Sequence, residues 1–193
     1  MKAKALLTAL AAFVLTGCTP DWAERGRGPQ ALLMTAINDG APLQSDLRIS
    51  TGTVCPDFVP LRLENHYKNP LIDNTGFRGD ITVERYEVRY YRSDGRDVPG
   101  VDVPYTITGN VAQEIVAPGA AEMQLEVVRR QAKLEPPLST LRRGGGPGIV
   151  TMFAEVTLHA RTTILEKVNP VSARLQIDFA DYVDELDACP TGP

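Results

Sequence analysis

One stretch near the end of this chain narrows its possible folds more than any other. Val150, Met152, Ala154, Val156 and Leu158 alternate with Thr151, Glu155, Thr157 and His159. Side chains on a strand point to opposite faces in turn, so this alternation predicts a half-buried strand. Val171, Ala173, Leu175, Ile177 and Phe179 repeat it against Ser172, Arg174, Gln176 and Asp178. With a turn at Glu166–Pro170 between them, the two stretches predict an antiparallel hairpin.

The rest of the body follows the same grammar. Ala31–Ile37 is apolar and runs into Asn38-Asp39-Gly40, a strong turn signal. Asp46–Ser50 is a short strand candidate. Val54–Tyr67 is interrupted by Pro56 and Pro60, which suits an edge or a strand starting near Val59. Asp80–Arg92 is the clearest strand. Ile81 and Val83 hold one parity, while Tyr86, Val88 and Tyr90 hold the other. The switch predicts a bulge, or a strand passing between sheets. Ser93-Asp94-Gly95-Arg96 reads as a hairpin-type turn. Tyr105–Thr108, Asn110–Val116 and the alternating Ala121, Met123, Leu125 and Val127 supply further strands. Arg129–Arg143 is poor in strand character, and Leu138–Arg143 suits one helical turn. About eight or nine strands at intervals of roughly 10–15 residues, with no long helical period, predict an all-β fold. The expected architecture is an antiparallel, immunoglobulin-like sandwich over residues 30–193, with an up-and-down barrel as the alternative.

The first residues obey different rules. Lys2 and Lys4 precede an apolar run from Ala5 to Val14, and Leu15-Thr16-Gly17-Cys18 closes it. About thirteen apolar residues are too few to span a bilayer, which reads as a secretory signal over residues 1–17. Leu15-Thr16-Gly17-Cys18 resembles the lipobox of bacterial lipoproteins. That resemblance implies a diacylglycerol on the Cys18 thiol, cleavage before Cys18 and acylation of the new amine, palmitate being the expected chain. In enterobacterial members an Asp after the cysteine resembles an inner-membrane retention signal, so Thr19 implies the outer membrane. The resemblance covers the first 18 residues and says nothing of the body. The second half of the body feels like the sandwich domains of uncharacterised envelope lipoproteins, on the strength of the two late strands alone. Two acyl chains or more give stable anchoring, at about 0.8 kcal/mol per buried methylene.

Residues 18–29 carry Pro20, Gly26, Gly28 and Pro29 and read as a tether. A coil of about 11 residues spans roughly 17–20 Å, which would hold the body close to a membrane. Trp22 either rests at the bilayer interface or packs on the body. Cys55 and Cys189 are left as a pair. In an exported protein that reads as a disulfide, the alternative being two buried thiols. It would close a loop of roughly 130 residues and contribute about 4–5 kcal/mol in the chain-entropy model.

Chemistry is scarce. The 193 residues are 43% hydrophobic and 23% charged, a globular balance. The net charge is −4 and falls to about −6 without Lys2 and Lys4, which argues against a nucleic-acid binder. His66 and His159 are the only histidines, and no Gly-x-Ser-x-Gly elbow accompanies them. No zinc spacing occurs. Asp178, Asp181, Asp184, Glu185 and Asp187 do not match a calcium loop and read as a solvated tail. Arg142-Arg143-Gly144-Gly145-Gly146-Pro147-Gly148 lacks the Lys-Ser/Thr of a phosphate loop and opens a strand, so it reads as a recognition loop. Among Phe77, Tyr86, Tyr90, Tyr91 and Tyr105, Tyr91 is the expected surface aromatic. Tyr86 and Tyr90 share the phase of Val88 and belong in the core.

The expectation is a non-catalytic, lipid-anchored interaction or structural module of the cell envelope, with no cofactor. It would meet a protein partner through Tyr91, Arg142 and Arg143. The alternatives are a small-ligand or glycan binder and, with little support, an envelope enzyme.

Overall fold

The computed structural model describes residues 30–48, 51–68, 79–143, 148–163, 168–182 and 188–189. Within them the chain forms eight strands: β1 (Gln30–Ile37), β2 (Leu43–Asp46), β3 (Asp57–Tyr67), β4 (Ile81–Arg92), β5 (Ile107–Ile115), β6 (Gly119–Val128), β7 (Ile149–Thr162) and β8 (Val171–Ala180). They make a three-stranded sheet ordered β1-β3-β6 and a five-stranded sheet ordered β2-β8-β7-β4-β5. The expected all-β sandwich is the fold. Among the described residues no ladder joins the two sheets, so the barrel alternative is not adopted. The chain opens in one sheet as β1 and continues in the other as β2, and β3–β6 face β4–β7–β8 in the immunoglobulin-like manner.

One pair departs from the antiparallel expectation: β2 lies parallel to β8, Leu43 opposite Ile177 and Asp46 opposite Ala180. Strand β2 also ends where the sequence reading began it. At Asp46 the side chain accepts the Arg48 N–H at 3.2 Å and the Tyr182 N–H at 3.2 Å, which ties the strand end to the tail.

The late hairpin is as expected, with Val150 opposite Phe179 and Leu158 opposite Val171. The parity switch in β4 is a bulge at Glu84, since registers to both neighbours shift between Val83 and Arg85. Ile81, Val83, Tyr86, Val88 and Tyr90 therefore all face the core. Gly109 lies opposite Tyr86, and a Cβ there would come within 2.3 Å of the ring, so the ring occupies the space a side chain would need. Pro60 sits inside β3, the central strand of its sheet. Pairing with β1 stops at Leu61, so Pro60 has only β6 beside it, where a ring nitrogen without N–H is tolerated. Asn38, Asp39 and Gly40 all take positive φ (49°, 51° and 79°), as an Asn-Asp-Gly turn allows.

The core lies between the sheets. Val59, Leu61, Leu63, Leu125 and Val127 from one meet Val88, Met152, Val156, Leu158, Ile177 and Phe179 from the other, each at most 1% exposed. Between β6 and β7 the chain forms a short helix α1 (Arg130–Leu134) and a 3-10 turn over Leu138–Arg143, the helical turn expected there.

Candidate interaction surface

The strands give the molecule two ends. Gln30 enters opposite Tyr67, and Asn65 nearby binds Gly79 and Ile115, so this is the end where the described part of the chain begins. Strand β4 runs away from it for twelve residues, roughly 35–40 Å at about 3.3 Å per residue. Arg92, the loop 93–106, helix α1 and the 3-10 turn stand at the far end.

On the outer face of the five-stranded sheet, near that far end, Tyr91 lies opposite Phe153 and Phe153 opposite Gln176. The two rings stack with centroids 5.6 Å apart and planes 22° apart. The Arg174 guanidinium lies 5.7 Å from the Tyr91 centroid, within cation–π range. In the next row Arg89, Glu155 and Arg174 stand opposite one another, and Arg174 Nε is 3.9 Å from Glu155 Oε1. A cleft of about 300 Å³ opens here, lined by Arg89, Tyr91, Gly95, Asp97, Glu155 and Arg174.

The loop 93–106 forms the rim of this face. Val103 is 1% exposed and anchors the loop in the core, while Val98, Val101 and Tyr105 are 52%, 68% and 60% exposed. Gly100, at φ +75°, packs under the Tyr105 ring. Arg96 braces the loop from within, bonded to Asp94 at 2.8 Å and to Asp102 at 3.4 Å. The hydrogen bonds from Arg96 hold the exposed Asp94 carboxyl below its usual range. The loop thus holds three large apolar side chains in water on a braced backbone, which makes this end the candidate interaction surface.

Beneath this end lies a buried ionic cluster. Lys133 is fully buried; its Nζ donates to Asp57 Oδ1 at 2.8 Å and to the Asp46 carbonyl at 2.7 Å. Ser45 Oγ donates to Asp57 Oδ2 at 2.5 Å. Burial pushes the Asp57 carboxyl above its ordinary value, against the pull of Lys133 and the Ser45 hydroxyl. Close by, the Tyr90 hydroxyl donates to the Val127 carbonyl across the sheets, and burial pushes its pKa up. Neither Lys133 nor Asp57 lines the cleft beside Tyr91, and their bonds join β2, β3 and α1. The cluster is a clamp.

The expected site residues fall as follows. Tyr86 and Tyr90 are core, at 7% and 4% exposure, and Tyr91 lies on the outer face. Cys55 and Cys189 stand bonded, Sγ to Sγ at 2.05 Å, which fastens residue 189 beside the start of β3. Arg142 and Arg143 belong to the 3-10 turn, though the Arg143 side chain is outside the described residues. Cys18, the tether with Trp22, Phe77, Gly144–Pro147 and the acids Asp184, Glu185 and Asp187 also lie outside them. His66 pairs with Glu64 at 2.7 Å on the surface, while His159 stands opposite Arg85 on the outer face. Asp178 accepts from Thr151 Oγ1 at 2.6 Å, and Asp181 pairs with Arg48 at 2.9 Å. Among the described residues no group of three or more His, Cys, Asp or Glu is placed to hold a metal ion. Nor is any helix among them long and apolar enough to cross a membrane.

Sequence reasoning missed Phe153, the apolar loop tips and the Lys133 clamp. Phe153 had a signal: it is an aromatic in the polar phase of β7. Lys133 had none, because its partners lie 76 and 87 residues away. Compared with known proteins, the chain matches no protein-family model and no curated protein sequence.

Proposed function

We propose that this chain is a lipid-anchored protein of the bacterial cell envelope, held at the outer membrane through Cys18, and that it works as a non-catalytic interaction module with a protein partner. The observation that carries this reading is the placement of Tyr91, Phe153, Arg174, Arg89 and the exposed Val98, Val101 and Tyr105 at the end away from Gln30. A short tether at one end leaves the other free to meet a partner. Tyrosine and arginine dominate protein interfaces because they bury large area with few rotors and several donors. The Tyr91 ring is already engaged by Phe153 and Arg174, so it offers a partner its edge and a guanidinium more than an open face. That weighs against the glycan reading, in which a sugar would need the open face.

A photo-crosslinking residue placed at Val101 in intact cells tests the reading. It should trap one protein repeatedly, whereas the same residue at Val116, 63% exposed at the Gln30 end, should not. Equal labelling from both positions would remove the surface assignment. The anchor is tested separately: Cys18→Ala should move the protein from the membrane to the soluble fraction, and retention there would overturn it.

A further inference from the structure

We propose that Lys133 and Asp57 condense into a covalent amide, so that the loop end of the fold carries a second cross-link beside Cys55–Cys189. The amine and the carboxyl are already in contact. Lys133 Nζ lies 2.8 Å from Asp57 Oδ1, and Cγ is at most one bond length further. Lys133 is fully buried, and its Nζ is held in place by a second bond, to the Asp46 carbonyl at 2.7 Å. Groups fixed in contact react as if at very high concentration, and a lysine amine kept out of bulk water is an activated nucleophile. Ser45 Oγ donates to Oδ2 at 2.5 Å, the carboxyl oxygen that Nζ does not touch. That is where negative charge gathers when an amine adds to Cγ, so the hydroxyl is placed as an oxyanion donor. The surface pairs of Arg62 and Arg96 offer no such reaction, because a guanidinium stays protonated.

The step balances without a co-reactant. A proton passes from the Lys133 ammonium to Asp57 Oδ1, leaving an amine and a carboxylic acid. The amine lone pair attacks Cγ and forms the C–N bond, and the charge that moves to Oδ2 meets the Ser45 hydroxyl. A second Nζ proton goes to Oδ1, the Cγ–Oδ1 bond breaks, and one water leaves as the double bond to Oδ2 re-forms. Ammonium and carboxylate have become amide and water. The remaining N–H keeps the Asp46 carbonyl as its acceptor, and Oδ2 keeps Ser45. Condensation removes two buried charges, whose desolvation is the main cost of such a pair. Burial already pushes the Asp57 carboxyl towards its protonated form. The Asp57 side chain is 15% exposed against 1% for Lys133, so the released water has an exit while the amine stays dry. The ion pair is the arrangement before the bond forms, and the pH dependence of Asp57 belongs to that form.

The bond is independent of the Tyr91 face and of lipidation at Cys18. Peptide mass spectrometry tests it on the full chain, purified folded at neutral pH, then reduced, denatured and cut with trypsin. The peptide holding Asp57 should appear joined to the one holding Lys133, lighter than their sum by one water and uncut after Lys133. Fragmentation should place the link between those two side chains. Lys133→Arg keeps the charge without the amine, and Lys133→Met removes both. Each should return the Asp57 peptide at its ordinary mass, a result that does not depend on the variant folding. Ser45→Ala keeps both reacting groups and should lower the joined fraction several-fold at equal times after refolding. Two unlinked peptides from the native protein would overturn the proposal, as would a joined species that persists in Lys133→Met.

Discussion

At the end of the sandwich where Gln30 enters, the two sheets are tied by a neutral amide. Asn65 on β3 is fully buried and donates to the Gly79 carbonyl at 2.8 Å and the Ile115 carbonyl at 2.9 Å, both on the other sheet's side. At the opposite end the ties are a disulfide and a buried charge pair. That end also carries the 93–106 loop, α1 and the 3-10 turn, where the chain makes no regular ladder. The difference teaches a rule of construction. Strand ends that meet neighbouring ladders close with an ordinary hydrogen bond. An end built of loops has little backbone pairing to hold it and relies on links between residues far apart in sequence. The loop end is also where the candidate contact surface lies, and a surface set by loops keeps its shape only if those links hold.

The covalent link should show the largest effect. Cys55 and Cys189 are 134 residues apart, and a loop of that length contributes about 4–5 kcal/mol by constraining the unfolded chain. Cys55→Ser with Cys189→Ser should lower the stability from denaturant unfolding by that order. Reductant should do the same to the native protein and nothing to the variant. Mass spectrometry of the unreduced protein should find no free thiol at either position. Two free thiols would remove the link and with it half of the contrast between the ends.

The buried charge comes next. Lys133→Met leaves a desolvated Asp57 facing an apolar side chain, which should cost about 3–5 kcal/mol at neutral pH. Adding Asp57→Leu should restore most of it, because the stranded charge is then gone. The pH dependence has a definite sign. Burial raises the Asp57 carboxyl from its ordinary 3.8, so the folded state holds this proton more tightly than the unfolded chain. Its contribution is therefore full below that ordinary value and is lost as pH rises through the raised one. Asp57→Asn should flatten that slope. Lys133→Met should steepen it, so its penalty shrinks in acid, where Asp57 takes up a proton.

The neutral tie should cost less. Asn65→Leu removes two neutral hydrogen bonds to buried carbonyls, a penalty of about 1–3 kcal/mol at about 0.5–1.5 kcal/mol for each bond lost. Hydrogen exchange should report it locally, with amides of β3 and β5 near Gly79 and Ile115 losing protection before those around Lys133. Loss of protection spread evenly over both ends would mean that they do not close independently.

Much of this was legible from the residues themselves. The β7–β8 pairing followed from two long alternations, and the Glu84 bulge from a change of parity in β4. These are local signals, repeated over many residues. Strand β2 could not be read, because four residues, Leu43–Asp46, carry too little pattern. Its parallel seat on β8 is fixed by ties from Asp46 to Tyr182 and Lys133. Nothing in the residues around Lys133 marks it as buried. Only the approach of Asp57 and the Asp46 carbonyl gives it a reason to be buried. The candidate contact surface was half legible: Tyr91 stood out as the aromatic outside the core phase. Its stack on Phe153 depends on a cross-strand register that no single strand encodes.

The smallest effect is expected from a contact that looks equally good on distance. Arg62 and Glu122 face each other between β3 and β6 at 2.7 Å, against 2.8 Å for Lys133 and Asp57. Their side chains are 54% and 68% exposed, against 1% and 15%. Water solvates the exposed pair whether or not it is joined, and salt screens it, so joining gains little. In the buried pair each partner is the other's only opposite charge, with the Asp46 carbonyl and the Ser45 hydroxyl adding one neutral hydrogen bond each in place of water. Arg62→Ala with Glu122→Ala should therefore leave the denaturation midpoint within measurement scatter at physiological salt. A midpoint shift comparable to that of Lys133→Met would show that length, and not access to water, sets the worth of these pairs. The contrast between the loop end and the Gln30 end would then rest on the disulfide alone.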